Sequence, residues 1–172
     1  MMKKNLITIL CLLFSIGASS QVLRTWNWTP NAGESAEFEK AVAEKTKKYN
    51  ASKDGAYMLT FKINSGNETG SYWRIRLEDE LKNFDKKYTS GLKAMQNNAA
   101  KHARMTRSAF WNIVKRATYW PEGDNNFKKP LKRYFIYNYD GEKDADFWAF
   151  RYKVQGAIKE SGVDINMTTL QC

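Results

Sequence analysis

Cysteine is nearly absent from this 172-residue chain, which has only Cys11 and Cys172. Cys11 falls in the leader described below, so the rest of the chain can form no internal disulfide and no multi-cysteine metal site. Cys172 is left to pair with another chain or to remain a free thiol. Histidine occurs once, as His102. A lone imidazole does not make a zinc site, and neither HExxH nor a Cys/His cluster is present. The G-x-S-x-G elbow, the P-loop and the dinucleotide-binding glycines are missing too. No apolar run after residue 20 approaches the length a membrane-crossing helix needs. Acidic residues vanish from one stretch: residues 86–116 hold eight Lys or Arg and no Asp or Glu.

What is there begins with a leader. Residues 1–20 carry Lys3 and Lys4, then an apolar core at 6–16, then Gly17-Ala18-Ser19-Ser20. This is the pattern of a removed secretory signal of bacterial type, with Gln21 as the first mature residue. Leu10 stands where a lipid-modification box needs a small residue before Cys11. The expectation is an exported protein, periplasmic or extracellular, with one domain over 21–172 and no spanning segment. Loss of Lys3 and Lys4 lowers the formal net charge from +10 to +8. A one-sign stretch such as 86–116 attracts anions, with Lys101, Arg104 and Arg107 as its candidate face; a solvated helix surface is the alternative.

Periodicity then orders the chain. Leu23 to Trp28 alternates with aromatic residues and predicts a strand. Asn31 followed by Glu34 resembles a capping box and predicts a helix over 34–49, its stripe formed by Phe38, Ala41, Val42 and Tyr49. Residues 56–64 and 72–77 read as strands joined by a polar hairpin loop at 65–71. A basic helical region is expected over 80–118, weakened near Gly91. After a loop at 118–130, residues 131–139 read as a strand, 143–160 as a helix and 164–171 as a closing strand.

The two ends echo each other. An offset of 109 pairs Ala36 with Ala145, Phe38 with Phe147, Met58 with Met167 and Thr60 with Thr169. Trp26-Asn27-Trp28 and Tyr137-Asn138-Tyr139 match after a two-residue shift. Halves at about 22–79 and 131–171 are therefore read as a weak repeat.

This element order resembles the split βαβ sandwich of the ferredoxin-like dimeric α+β barrel superfamily, which includes small monooxygenases and haem-degrading enzymes. The resemblance implies an α+β fold with helices on one face of the sheet. It also implies a barrel closed by two chains or by two related halves of one. Haem-degrading members use an Asn on the first strand, a Trp and a His. Asn27, Trp73 and His102 are the corresponding catalytic candidates, and haem is the cofactor of that alternative alone.

Read from the residues, Arg24, Trp26 and Trp28 share one strand face, and Tyr72, Arg74 and Arg76 another. Arginine beside aromatic rings suits a flat anionic ligand; core packing is the structural alternative. His102 on a mostly apolar stripe reads as a packed residue or, in the sharper reading, a haem ligand or general base. Asp140, Glu142, Asp144 and Asp146 lack the Gly and Glu of an EF-hand and read as acids at a helix N-terminus. Trp148 and Tyr152 widen the apolar arc of the last helix, as a homodimer contact or a closed two-half barrel would require. No RNA-binding aromatic motif is present, so nucleic acid is not an expected partner. The leading expectation is a binding protein for an anionic or aromatic small ligand or acidic glycan. A haem-handling or monooxygenase-type enzyme, and a surface interaction protein with a basic face, are the alternatives.

Overall fold

A computed structural model describes residues 21–51, 56–86, 88–121 and 131–172. The expected leader, residues 52–55, residue 87 and most of the loop expected at 118–130 lie outside them. The elements run β1 (Val22–Pro30), α1 (Ser35–Tyr49), β2 (Met58–Lys62), β3 (Tyr72–Glu78), α2 (Thr89–Asn97), β4 (Ala103–Ile113), α3 (Asp144–Ser161) and β5 (Leu170–Gln171). The strands form one curled antiparallel sheet in the order β2-β3-β1-β4-β5. The α+β expectation holds. β1 lies at the centre, paired with β3 on one side and β4 on the other. β3 separates β1 from β2, so α1 crosses over an inserted strand.

Period two gives each strand two faces, and they have different neighbours. Trp28 on β1 and Tyr72 on β3 face α1 and α2. They meet Phe38, Val42, Met95, Ala99 and Ala103 in the main apolar cluster. Phe38 and Val42, one helical turn apart, are the buried anchors of α1. Fully burying a side chain of this size stabilises the fold by about 1.5–3 kcal/mol. Phe38 packs edge-on against Tyr72, with ring centroids 5.1 Å apart. Outside this cluster, the Tyr72 hydroxyl donates to Glu39, which also pairs with Lys62 at 2.8 Å.

Several expectations need correction. Residues 80–117 do not form a long helix. A 3-10 turn at Leu81–Asp85 leads into the short α2, and Ala103–Ile113 is a strand. Gly91 is not a mere weak point: it is buried, with the Tyr49 Cβ 3.4 Å from where its own Cβ would stand. A methyl there would touch Tyr49 at ordinary contact distance, and a larger side chain would press α2 away from α1. β4 hides its period because a bulge interrupts it: Asn27 pairs with Arg107 but Trp28 with Met105, leaving Thr106 as the extra residue. The Thr106 hydroxyl donates to the Asn27 carbonyl at 3.3 Å. A bulge re-aims the side chains beyond it, so Arg104 and Arg107, three apart, share one face.

The strand expected at 131–139 does not form, and the closing strand shrinks to Leu170–Gln171 plus a Tyr119–Met167 bridge. The segment at 131–140 runs over the face of the sheet rather than along an edge, so its backbone has no ladder to join. β1 and its proposed echo therefore differ: one is the central strand, the other is not a strand. α3 forms where expected but lies across the face opposite α1 and α2, so the helices do not all share one side. The Asn31–Glu34 pair also differs from a capping box. Asn31 donates to the Glu34 carboxylate at 2.6 Å, and α1 begins only at Ser35.

Candidate functional site

The sheet face away from α1 and α2 forms one wall of a cleft of about 520 Å³. Thr25 and Asn27 on β1, Trp73 on β3, and Arg107 and Trp111 on β4 all project to this side. Opposite them stand Arg133, Tyr134 and Tyr137 from the extended segment, and Phe147, Trp148 and Arg151 from α3. Among the described residues, no Asp or Glu side chain lines the space.

The site is built from alternation on the sheet and a helical turn on α3. Trp73 and Asn27 face each other across the β1–β3 ladder. Tyr134 stacks on Trp73 with centroids 5.0 Å apart and planes 28° apart. The Trp111 indole donates to the Thr25 hydroxyl at 3.0 Å, which fixes its ring. Across the cleft, Phe147 stacks on Tyr139 at 4.1 Å. The Tyr139 hydroxyl and the Trp148 indole both donate to Asp144 at the start of α3. Asp144 and Asp146 occupy the first turn of that helix, where its dipole favours negative charge.

Polar groups converge at one end of the cleft. Asn27 donates from Nδ2 to Glu68 Oε2 at 2.7 Å, and Arg107 reaches the other oxygen of the same carboxylate at 3.4 Å. Glu68 belongs to the β2–β3 hairpin loop, so this loop closes against β1 and β4. Burial, reinforced by Glu68, holds the Tyr134 phenol above its usual value. Arg151 donates to Thr169 Oγ1 at 3.4 Å and to the Met167 sulfur at 3.2 Å. Its guanidinium lies 5.7 Å from the Tyr137 ring centre.

The structure thus brings Asn27 and Trp73 together and leaves His102 out. His102 precedes β4, a third exposed, with Nδ1 3.8 Å from a Glu34 oxygen. The six residues read as a ligand face, Arg24, Trp26, Trp28, Tyr72, Arg74 and Arg76, lie on the other side of the sheet, with Trp28, Tyr72 and Arg74 under α1 and α2. Arg24 is held between Trp26 and Phe110, at 4.8 and 4.7 Å from their ring centres. Arg76 pairs with Glu78 at 2.6 Å and donates to the Asn83 carbonyl at 2.8 Å. Trp28 packs against Phe38. Lys101 and Arg104 are exposed, and Arg107 borders the cleft.

Sequence reading missed Trp111, Tyr134 and Arg151 as site residues. Trp111 was hidden by the bulge in β4. Tyr134 and Arg151 lie in the aromatic-rich stretch 132–150, whose composition was the available signal. No family model matches the chain, and no curated protein matches it significantly.

Proposed function

We propose that this is an exported, non-catalytic binding protein for a flat aromatic small molecule that carries a negative charge. The observation that carries this reading is the lining itself: stacked rings on both walls, three arginines of which only Arg107 meets a carboxylate, that of Glu68 at one end, and no Asp or Glu among the described residues that line the space. Rings supply flat apolar surface, and guanidinium groups pair with carboxylate, sulfonate or phosphate in a fixed geometry. Convergent polar groups in a largely apolar cleft are the ordinary form of a small-molecule site. Export rests on the leader at residues 1–20. The strand order, with β3 inserted between β1 and β2, supports a ferredoxin-like arrangement for residues 22–113. A haem-handling enzyme would need His102, the sole imidazole, which does not line the cleft.

The test uses two fluorescent probes that share an arylamine-naphthalene frame. 1-Anilinonaphthalene-8-sulfonate carries a charge and N-phenyl-1-naphthylamine does not. The sulfonate binds at least fivefold more tightly, and Arg107→Gln with Arg151→Gln removes that preference. Equal affinity for both probes in the unsubstituted protein would sink the reading.

A further inference from the structure

Beneath α1, on the side of the sheet away from the cleft, two cationic side chains are buried with no carboxylate against them among the described residues. Arg74 is 2 % exposed, and its Nε has no hydrogen-bond partner. Its other contacts are weak: Nη1 to the Met95 sulfur at 3.2 Å, Nη2 to Thr46 Oγ1 at 3.4 Å and to the Met58 sulfur at 3.8 Å. Lys45 is 8 % exposed; its Nζ meets Asn50 Oδ1 at 2.5 Å and the same Met58 sulfur at 3.7 Å. Both positive charges therefore border one thioether. Of the carboxylates on the neighbouring elements, Glu39 pairs with Lys62 and Tyr72, Glu78 pairs with Arg76, and Glu37 and Glu44 are exposed on α1.

A guanidinium has five donors and no acceptor, and thioether sulfur is among the weakest acceptors in proteins. Buried charge is normally paired, because dehydration in a low-dielectric interior is expensive. Two like charges sharing one apolar contact add repulsion to that penalty. Arg74 and Lys45 are thus a donor set, buried and convergent, with its counter-charge missing among the described residues.

We propose that Arg74 and Lys45 bind a small monovalent anion between α1 and the sheet, and that this ion helps fasten the helix to the sheet. Small size follows from the surroundings, since Met58, Met95 and Thr46 crowd the guanidinium. Single charge follows from dehydration, whose penalty grows with the square of the charge and disfavours sulfate or phosphate in an enclosed site. The site is separate from the aromatic cleft, and its fate does not depend on that reading.

The test is thermal unfolding of the full chain in sodium chloride, sodium sulfate and sodium gluconate at matched ionic strength, with gluconate as the anion too large to enter. A ligand that binds only the folded state raises the midpoint with the logarithm of its concentration. Chloride raises the midpoint by several degrees over a hundredfold range, and gluconate and sulfate do not. Arg74→Met and Lys45→Met each abolish or blunt the chloride response, and Lys62→Gln, at an exposed ion pair, keeps it. Crystals soaked in bromide show an anomalous-scattering peak within hydrogen-bond reach of the Arg74 guanidinium. If Arg74→Met does not fold, Lys45→Met and the bromide peak decide. A midpoint indifferent to chloride overturns the proposal, as does a response that survives in Lys45→Met or a bromide-soaked crystal with no peak there.

Discussion

Tyr134 lies flat on Trp73, joining the segment at 131–140 to the middle of the sheet. Trp73 itself stands opposite Asn27 on the central strand. One ring contact therefore connects the C-terminal layer to the strand that organises the fold, and it does so inside the cleft.

That contact gives the first prediction. Trp73→Ala removes one stacking wall and weakens binding of 1-anilinonaphthalene-8-sulfonate at least tenfold, while Tyr134→Phe leaves it within about twofold. Aromatic pairs contribute about 0.5–1.5 kcal/mol beyond area burial, so Tyr134→Ala lowers stability by that order. Probe fluorescence and urea denaturation check the two halves of the statement.

The apolar cluster gives the second. Phe38 is fully buried beneath Trp28 and Tyr72, so Phe38→Ala costs about 3–5 kcal/mol. Gly91→Ala behaves differently: the new methyl meets Tyr49 at ordinary contact distance and gains helix propensity, so stability changes by no more than about 1 kcal/mol. Gly91→Leu overpacks the α1–α2 contact and lowers stability by about 1–3 kcal/mol. Denaturation midpoints of the three variants rank these effects. A Gly91→Leu variant as stable as the parent would show that the helices are not closely packed there.

Lys45 gives a pH dependence. Burial, with help from the Arg74 charge, lowers its ammonium to about 8 in the folded state. In the unfolded chain the group titrates near about 10.4. Between these values the unfolded state holds more protons, so stability rises with pH. The gain is about 2 kcal/mol from neutrality to about pH 9.5, and Lys45→Met abolishes it. Readings stop there because Tyr72, whose phenol is raised mainly by burial, pulls stability down once unfolded tyrosine ionises. Bound chloride would keep Lys45 protonated, so high chloride flattens the rise.

The basic strand gives the last. Arg104 and Arg107 project together because of the Thr106 bulge, with exposed Lys101 just before the strand. Retention on a sulfonate resin falls steeply with salt, as screening of exposed charges requires. Replacing Lys101, Arg104 and Arg107 with Gln shifts elution to lower salt. Unchanged elution would mean that this face only solvates the protein.

Legibility varied along the chain for physical reasons. β1, β3 and α1 were readable because local period and burial agree there, and α3, which buries no residue fully, from its apolar arc and the acids at its start. Phe38 and Val42 announce one buried helix face, and Tyr72 to Leu77 alternates cleanly. β4 was read as a helix because its alternation is broken by Thr106 and its side chains are exposed on both faces. Of the site, Asn27 and Trp73 were chosen and do meet. His102 was chosen for its chemistry and lies elsewhere, since a residue's type does not place it in space.

The sequence by itself determined the strand-helix-strand opening, the excess of positive charge and the aromatic-rich stretch at 132–150. These follow from composition and from periods of two and 3.6, which act over a few neighbouring residues. Only the tertiary structure decided which side of the sheet each residue occupies. It buried the Arg74 and Lys45 side chains between α1 and the sheet, and set Trp73, Arg107 and Tyr134 around a cleft. The reason is that a strand takes its faces and register from the strands beside it, and those partners lie as far apart in the chain as Val22 and Asn112.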